Sequence, residues 1–267
     1  MSSLKSRSEL IDLLKSILDA RNETNWESLE SLFQPIMLID TTSQQRDNFI
    51  ANLRSATGVS VKLDSWVVDV NAQAVAARVV KTETLHGERC EYQEIILTWF
   101  ADGRLATLKR LKDGDSRSAK QTTTPSLLEE LKPTSLDIAA LYSEYIKSIN
   151  DKTMEANFDK FCQPSVTHNT VEKTIAEYIT LISESQSAIR DLYFDIQDLI
   201  VDKDAGRVAA RLEFTGVPVK TWGGAEPNGK AVKFHEHVMY WLDEGKIHWV
   251  WSVVDLDTYR KQLQQTD

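Results

Sequence analysis

The 267-residue sequence has little cysteine and no long apolar run. Its two cysteines, Cys90 and Cys162, form no C-x-x-C pair, so neither a disulfide framework nor a cysteine-based zinc or redox centre is expected. The densest apolar stretches are short pieces such as IILTWF, far below the length that spans a bilayer. Charges interrupt the first twenty residues, which predicts an amphipathic helix and not a signal peptide. We therefore expect a cytoplasmic protein.

Basic charge is also scarce. The chain has 31 lysines and arginines against 40 acidic residues, a net charge of -9. Nucleic acids and anionic membranes bind through a basic face, so neither is an expected partner. The sequence also lacks a nucleophile elbow, a phosphate-binding glycine loop and a dinucleotide fingerprint, which removes the commonest hydrolase, kinase and dehydrogenase functions. With 42% hydrophobic and 27% charged residues, the composition is that of a globular protein.

The sequence contains an internal repeat: the same unit occurs twice. Each half begins with an amphipathic helix, followed by a short helix that a proline ends, in LFQPIMLID and in FCQPSVTHN. A predicted strand with the run Val-Ala-Ala-Arg occurs in both halves, and each half closes with a glycine turn and a strand ending in aspartate. Four matches in the same order indicate a tandem duplication. The pattern of helices followed by antiparallel strands predicts an α+β fold for each copy.

The repeat sets the predicted domain boundaries. Residues 1–115 form the first domain, residues 116–134 a polar linker, and residues 135–267 the second domain. The second copy is longer, mainly because VPVKTWGGAEPNGK replaces the shorter TLHGERC of the first. Loops accept insertions at low cost and often carry function, so the insertion is expected to enlarge the rim of a site.

The second copy concentrates imidazole and indole in the stretch FHEHVMYWLDEGKIHWVWSVVD. Strand alternation places two sets of side chains on opposite faces of the first strand: His235, His237, Met239 and Trp241 on one, and Phe234, Glu236, Val238 and Tyr240 on the other. The matching strand of the first copy is more apolar on the face equivalent to His237. We therefore expect His237 to point into the concave side of the sheet, with the aspartate that ends the next strand, Asp255.

These residues resemble the SnoaL-like polyketide cyclases of the nuclear transport factor 2-like superfamily. The resemblance rests on Pro-x-Gly-Lys at 227–230, Gly-Lys-Ile at 245–247, Trp251 and Asp255, with Arg211 and His168 in keeping. It implies two tandem cone-shaped α+β barrels, in which helices pack inside a curved and mostly antiparallel sheet. The first copy departs from the pattern, with Lys109 where Trp251 stands, so its site is expected to be degenerate: a scaffold, or a pocket of different chemistry.

The resemblance implies a cyclase, isomerase or dehydratase that uses no cofactor and no metal. Asp255, partly desolvated, would be the general acid or base at carbon next to a carbonyl, with His237 as its partner. The substrate would be a small, apolar, oxygenated and polyketide-like molecule that forms rings. His168 and Tyr145 would donate hydrogen bonds to its carbonyl group. The other candidate contacts are Arg211, Trp222 as a lid, Met239, Trp241, Trp249 and Trp251.

Several alternatives remain open at the level of sequence. Asp255 could simply cap a terminal helix, Arg211 could form a structural ion pair, and Tyr145 could be a core residue. The pair His235 and His237 could hold a metal with Asp255 or His168. The whole chain could also be a binding or protein-docking scaffold, because a fold does not fix a function. Related folds pair their sheets in dimers, so we expect an internal pseudo-dimer and a monomeric chain.

Overall fold

The computed structural model describes residues 4–85, 87–117, 120–126 and 130–264. The chain divides into two compact units, Met1–Glu129 and Glu130–Asp267. No helix in the described part of the chain is long and apolar enough to cross a membrane. Each unit has its own helices and its own sheet, as the internal repeat predicts.

The first unit is a six-stranded sheet with three helices. Its elements are α1 (Arg7–Asn22), α2 (Trp26–Leu32), β1 (Phe33–Ile39), β2 (Thr42–Gln45), α3 (Arg46–Ser55), β3 (Ser60–Asp69), β4 (Ala74–Leu85), β5 (Glu88–Ala101) and β6 (Arg104–Lys112). The strands lie in the order β2-β1-β6-β5-β4-β3, and all pairs are antiparallel except β1 with β6. The helix α1 begins with a capping box between Ser6 and Glu9.

The second unit repeats this order and adds a terminal helix. Its elements are α4 (Ile138–Asn150), α5 (Met154–Phe161), β7 (Cys162–His168), β8 (Val171–Thr174), α6 (Ile175–Ala188), β9 (Ile189–Asp202), β10 (Arg207–Pro218), β11 (Val232–Asp243), β12 (Lys246–Val254) and α7 (Leu256–Gln264). The strand order, β8-β7-β12-β11-β10-β9, is that of the first unit, with β7 and β12 parallel. The predicted tandem α+β arrangement is confirmed.

Glycine turns close the equivalent hairpins of the two units. Asp102 and Gly103 join β5 to β6, and Glu244 and Gly245 join β11 to β12, all four with positive φ. Two consecutive residues of positive φ form the tight turn whose twist matches antiparallel strands. These turns fix the strand register, and with it the face on which each side chain of the site lies.

Part of the predicted linker packs on the first unit. The backbone N–H of Thr124 donates to Asp64 Oδ1 at 2.8 Å, its hydroxyl donates to the same carboxylate, and the N–H of Gln121 donates to Glu91 Oε2 at 3.0 Å. Residues 118–119 and 127–129 of the predicted linker lie outside the described residues. The stretch 120–126 thus contributes bonds to the first unit instead of only spanning a gap.

Asp64 belongs to a buried ion pair in the first unit. Its carboxylate lies 2.8 Å from Arg78 Nη1, and the two side chains are 2% and 1% exposed. Arg78 Nε donates to Gln93 Oε1 at 2.9 Å, and the Gln93 amide donates to Asp113 Oδ2 at 3.1 Å. Arg78, half of the arginine pair repeated in the two copies, therefore has a structural ion pair in the first unit.

Breaking this pair should destabilise the first unit. In Asp64→Asn, the buried Arg78 loses its charge partner, and we expect the free energy of unfolding to fall by about 3 to 5 kcal/mol. Urea unfolding followed by circular dichroism measures the change. The matched control is Glu30→Gln, which removes an exposed ion pair with Arg46 of 2.9 Å and should cost less than about 1 kcal/mol. Equal losses in the two variants would contradict the assignment.

Candidate functional site

A cavity of about 170 Å³ lies in the second unit, between helices α4 and α6 and the inner face of the sheet. Most of its wall is apolar, with Ile146, Leu212 and Val238 among the lining residues. Its polar lining includes Tyr145, His168, Tyr178, Glu236 and Ser252, with Glu184, Ser185, Trp222 and Tyr240 also in the wall. The described lining contains no lysine or arginine. An apolar cavity with a few converging polar groups is the usual form of a small-molecule site.

Glu236, on β11, is the titratable group at the centre of this arrangement. Burial raises the pKa of its carboxyl group to about 7, because desolvation penalises the charged form. The Ser252 hydroxyl donates a hydrogen bond to Glu236 Oε1 and opposes part of that rise. Since no cation lines the cavity, the carboxyl group exchanges its proton near neutral pH. This is the range in which one group can serve as both general base and general acid.

Ser252 is held by a backbone clamp. Its N–H donates to Asn169 Oδ1, and its carbonyl accepts from Asn169 Nδ2, both at 2.8 Å. Asn169 has a φ of 45°, a left-handed conformation that asparagine tolerates better than most residues. The clamp fixes β12 against the end of β7 and so positions the hydroxyl that touches Glu236.

A group of neutral hydrogen-bond donors faces the same cavity. The hydroxyl groups of Tyr145 and Tyr178 are 3.0 Å apart, and the ring centroid of His168 lies 5.8 Å from that of Tyr178. Burial raises the pKa of both tyrosines well above the usual range, so they stay protonated. Burial also lowers the pKa of His168 to about 4, so its ring is neutral at physiological pH. Neutral donors of this kind can bind a carbonyl oxygen or a developing oxyanion.

The inserted loop of the second copy contributes Trp222 to the cavity wall. Its ring packs against Tyr259 and Phe234, with centroid separations of 5.1 and 6.0 Å. Gly223 follows it with a φ of 57°, and a Cβ there would lie 3.0 Å from Leu256. The loop is thus fitted closely to α7, and the role of Trp222 as a lid stays a prediction.

The predicted orientation of β11 is wrong. Glu236, Val238 and Tyr240 line the cavity, so the alternate residues lie on the opposite face of the sheet. His237 is fully buried there, with Nε2 2.7 Å from Arg211 Nη1. Four other predicted contacts lie on the same face and also do not line the cavity: Met239, Trp241, Trp249 and Trp251. These side chains, and Arg211 with them, do not reach the described cavity.

The reason is that both faces of these strands are buried. In the first unit, Ile95 and Leu97 are fully buried although they lie on the face away from that unit's cavity. The orientation of β11 was predicted from apolar content. Because both faces are apolar and buried, this criterion does not identify the inner face. A better signal was available in the sequence: Glu236 is a lone carboxyl group between Phe234 and Val238 on an otherwise apolar face. The sequence argument missed Glu236, Ser252 and Tyr178.

Asp255 also lies away from the cavity, at the start of α7. Its Oδ1 accepts the N–H of Thr258 at 3.0 Å, and its carbonyl accepts the N–H of Tyr259 at 3.1 Å, which is the geometry of a helix N-cap. Asp113, the equivalent residue of the first unit, accepts the N–H of Ser116 at 3.1 Å in the same manner. The aspartate kept in both copies therefore has a local structural role in each.

The residues proposed for a metal do not converge. His168 lines the cavity, whereas His237 lies on the other face, with a guanidinium group beside its Nε2. Among residues 4–85, 87–117, 120–126 and 130–264, no group of three histidine, cysteine, aspartate or glutamate side chains could hold a metal ion.

Comparisons with known proteins point to one family. The sequence model of the SnoaL-like polyketide cyclases matches residues 139–263. A search of curated proteins finds no match. Among solved structures, a SnoaL-like polyketide cyclase from Agrobacterium tumefaciens is 31% identical, with 48% of this chain and 98% of that protein covered and a TM-score of 0.45. TsrD from Streptomyces laurentii is 21% identical, with coverages of 50% and 98% and a TM-score of 0.45.

The matched region is the second unit, whose elements run from α4 to α7. Each of these two solved structures covers about half of this chain. The predicted nuclear transport factor 2-like fold is confirmed. With the family's sequence model matched and 31% identity over 98% of a member, the chain belongs to the SnoaL-like polyketide cyclase family.

Proposed function

We propose that the second unit is a cofactor-independent cyclase or isomerase in which Glu236 transfers the proton. The substrate is a small, apolar, oxygenated molecule of the polyketide type. The observation that carries this proposal is a carboxyl group with a pKa of about 7 in an apolar cavity without lysine or arginine in its described lining. The scarcity of cysteine is consistent with a cytoplasmic location.

The reaction begins with proton abstraction. The Glu236 carboxylate removes a proton from carbon next to a carbonyl group of the substrate, and the electron pair moves onto the carbonyl oxygen as an enolate. In isomerisation, Glu236 returns the proton to a different carbon of a conjugated enolate. In cyclisation, the enolate carbon instead attacks a second carbonyl group of the same molecule. In ring closure, the new alkoxide takes the proton from Glu236, and the carboxylate is restored.

The tyrosine pair and His168 stabilise the enolate oxygen. When one of the two hydroxyls of Tyr145 and Tyr178 donates to the other, the acceptor keeps its own O–H for the substrate. The neutral ring of His168 supplies one N–H donor. Such donors are fixed before the reaction and bind the oxygen most strongly when its charge is greatest.

Glu236 thus takes the catalytic role that the sequence analysis expected for Asp255 with His237. The N-cap geometry of Asp255 and the bond between His237 and Arg211 support the change. An open cavity with converging polar groups also favours a small-molecule site over a docking scaffold, in which side chains would fill the space.

Glu236→Gln should abolish catalysis. The amide cannot accept the substrate proton, so we expect the rate of solvent deuterium exchange next to a ketone carbonyl to fall by a factor of about 10² to 10⁴. The assay follows 2-tetralone by proton NMR in D₂O, with circular dichroism to verify folding. In the wild type, the rate should rise with pH across about 7, because the base is the carboxylate form.

Two control variants make the test specific. Glu213→Gln changes a carboxylate of the neighbouring strand that pairs with Lys233 at 2.9 Å, and it should leave the exchange rate within a few fold of the wild type. Asp255→Asn should do the same, since asparagine is also a good N-cap residue. Full activity of Glu236→Gln, or loss of activity in Asp255→Asn alone, would reject the assignment of Glu236.

Ser252→Ala should shift the pH profile without removing activity. The hydroxyl stabilises the charged form of Glu236, so its loss should raise the pKa of Glu236 above about 7, by about one unit or more. The midpoint of the exchange rate would move to higher pH by the same amount. Infrared titration of the carboxyl band, with Glu236→Gln as the reference, measures the shift without a substrate. Ser252→Thr keeps the hydroxyl and should restore the midpoint; an unshifted midpoint in Ser252→Ala would contradict the role of the bond.

A further inference from the structure

The first unit contains a cavity that is larger than the Glu236 cavity of the second unit. Its volume is about 350 Å³, and its wall is mostly apolar, with Leu14, Ile17, Phe33, Phe49 and Ile96 among the lining residues. The helices α1, α2 and α3 and the inner face of the sheet all contribute to it. The degenerate copy has therefore kept an open cavity and has not been filled by side chains.

At the position equivalent to Glu236, the first unit also has a glutamate, but that glutamate is in an ion pair. Ile95 pairs with Arg78 as His237 pairs with Arg211, so Glu94 takes the place of Glu236. The Glu94 carboxylate lies 3.1 Å from Lys81 Nζ. This carboxylate is occupied by the ion pair with Lys81, which has no counterpart in the described lining around Glu236. The first cavity is thus suited to binding and not to the chemistry of the second.

Arg21 supplies a buried positive charge without a carboxylate partner in the described part of the chain. It lies in the last turn of α1, lines the cavity and is 8% exposed. Its Nη2 donates to the carbonyl oxygen of Ala56 at 2.9 Å, and its guanidinium carbon lies 5.6 Å from the ring centre of Trp26. Burial lowers the pKa of Arg21, which reflects the cost of desolvating this charge. A buried cation of this kind is stabilised when an anion binds beside it.

The other charges of the lining favour an anion as well. The basic side chains are Arg21, Lys81 and Arg110, and the acidic ones are Glu83 and Glu94, which leaves one positive charge in excess. Arg110 pairs with Asp40 through Nη2 at 3.2 Å, and its buried Nε has no hydrogen-bond partner among the described residues. The second cavity has no lysine or arginine in its described lining. The walls of the two cavities therefore differ in charge.

We propose that the first unit is a binding site for an apolar monocarboxylate, whose carboxylate pairs with Arg21 and whose hydrocarbon part fills the cavity. The guanidinium fork matches the two oxygens of a carboxylate, so the interaction is directional as well as electrostatic. The ligand is bound and not converted, because Glu94 is already paired with Lys81. This site is separate from the catalysis proposed for the second unit.

Isothermal titration calorimetry on the full chain tests the proposal, with decanoate below its micelle-forming concentration as the probe. Decan-1-ol, of the same length without the charge, should bind more weakly than decanoate by a factor of about ten or more. Arg21→Gln should weaken decanoate binding by a similar factor and leave decan-1-ol unchanged. The matched control is Arg54→Gln: Arg54 also lies over Trp26, at 5.5 Å, but is exposed and outside the cavity lining, so decanoate binding should not change.

Other outcomes would overturn the proposal. Equal affinities for decanoate and decan-1-ol, or no binding of decanoate, would remove the anion site. Loss of decanoate binding in Glu236→Gln would place the ligand in the second unit; an unchanged affinity in that variant separates the two sites. If Arg21→Gln does not fold, Asn52→Trp replaces it. Asn52 is exposed and lines the cavity, so a large side chain there should block decanoate, and undiminished binding would reject the site.

Discussion

The partial desolvation of one carboxyl group, with no lysine or arginine in the described lining around it, is the constraint on which the second unit depends. Glu236 can lie in the cavity because the Ser252 hydroxyl bonds it and because its proton can stay on at neutral pH. A lysine or arginine in the lining would stabilise the carboxylate and end its exchange with substrate. The apolar wall, the neutral state of His168 and the protonated tyrosines all agree with this requirement. The lack of lysine and arginine in the described lining therefore matters as much for the electrostatics of the cavity as the neutral donors that are present.

The first unit has the same fold, but its equivalent carboxylate is in an ion pair. There the equivalent carboxylate, Glu94, has Lys81 beside it, and Arg110 stands where Ser252 stands in the second unit. The sheet order and the parallel pair at its edge are unchanged. The charges around the equivalent carboxylate therefore differ between the two cavities, although the strand order is the same. Duplication allowed both versions to exist in one chain.

The sequence predicts the architecture better than the site. Local sequence rules predicted both units, through the repeated helices, the shared Val-Ala-Ala-Arg strand and the glycine turns. The same arrangement, with the motifs near the end of the chain, carried the resemblance to the family. Tyr145 and His168 line the cavity. Helix periodicity indicated the face of Tyr145, whereas the family resemblance suggested His168. The face of β11 was assigned wrongly because both faces of a central strand are buried here, so hydrophobicity carries no information on which is the inner one. The partner of a carboxyl group, such as Ser252, depends on strand register, which composition does not reveal.

The clamp on β12 has a counterpart in the first unit. The N–H of Arg110 donates to Asp40 Oδ1 at 2.8 Å, as the N–H of Ser252 donates to Asn169, and Asp40 also has a positive φ, of 54°. In both units the clamp binds the backbone of this position, and in the first unit Asp40 also pairs with the Arg110 guanidinium at 3.2 Å. A serine and an arginine therefore occupy the same place on the same strand, each with a clamp residue that suits its charge: neutral Asn169 for Ser252 and acidic Asp40 for Arg110. An exchange at this position changes the charge of the cavity wall, and protein engineering would change the position together with its clamp residue.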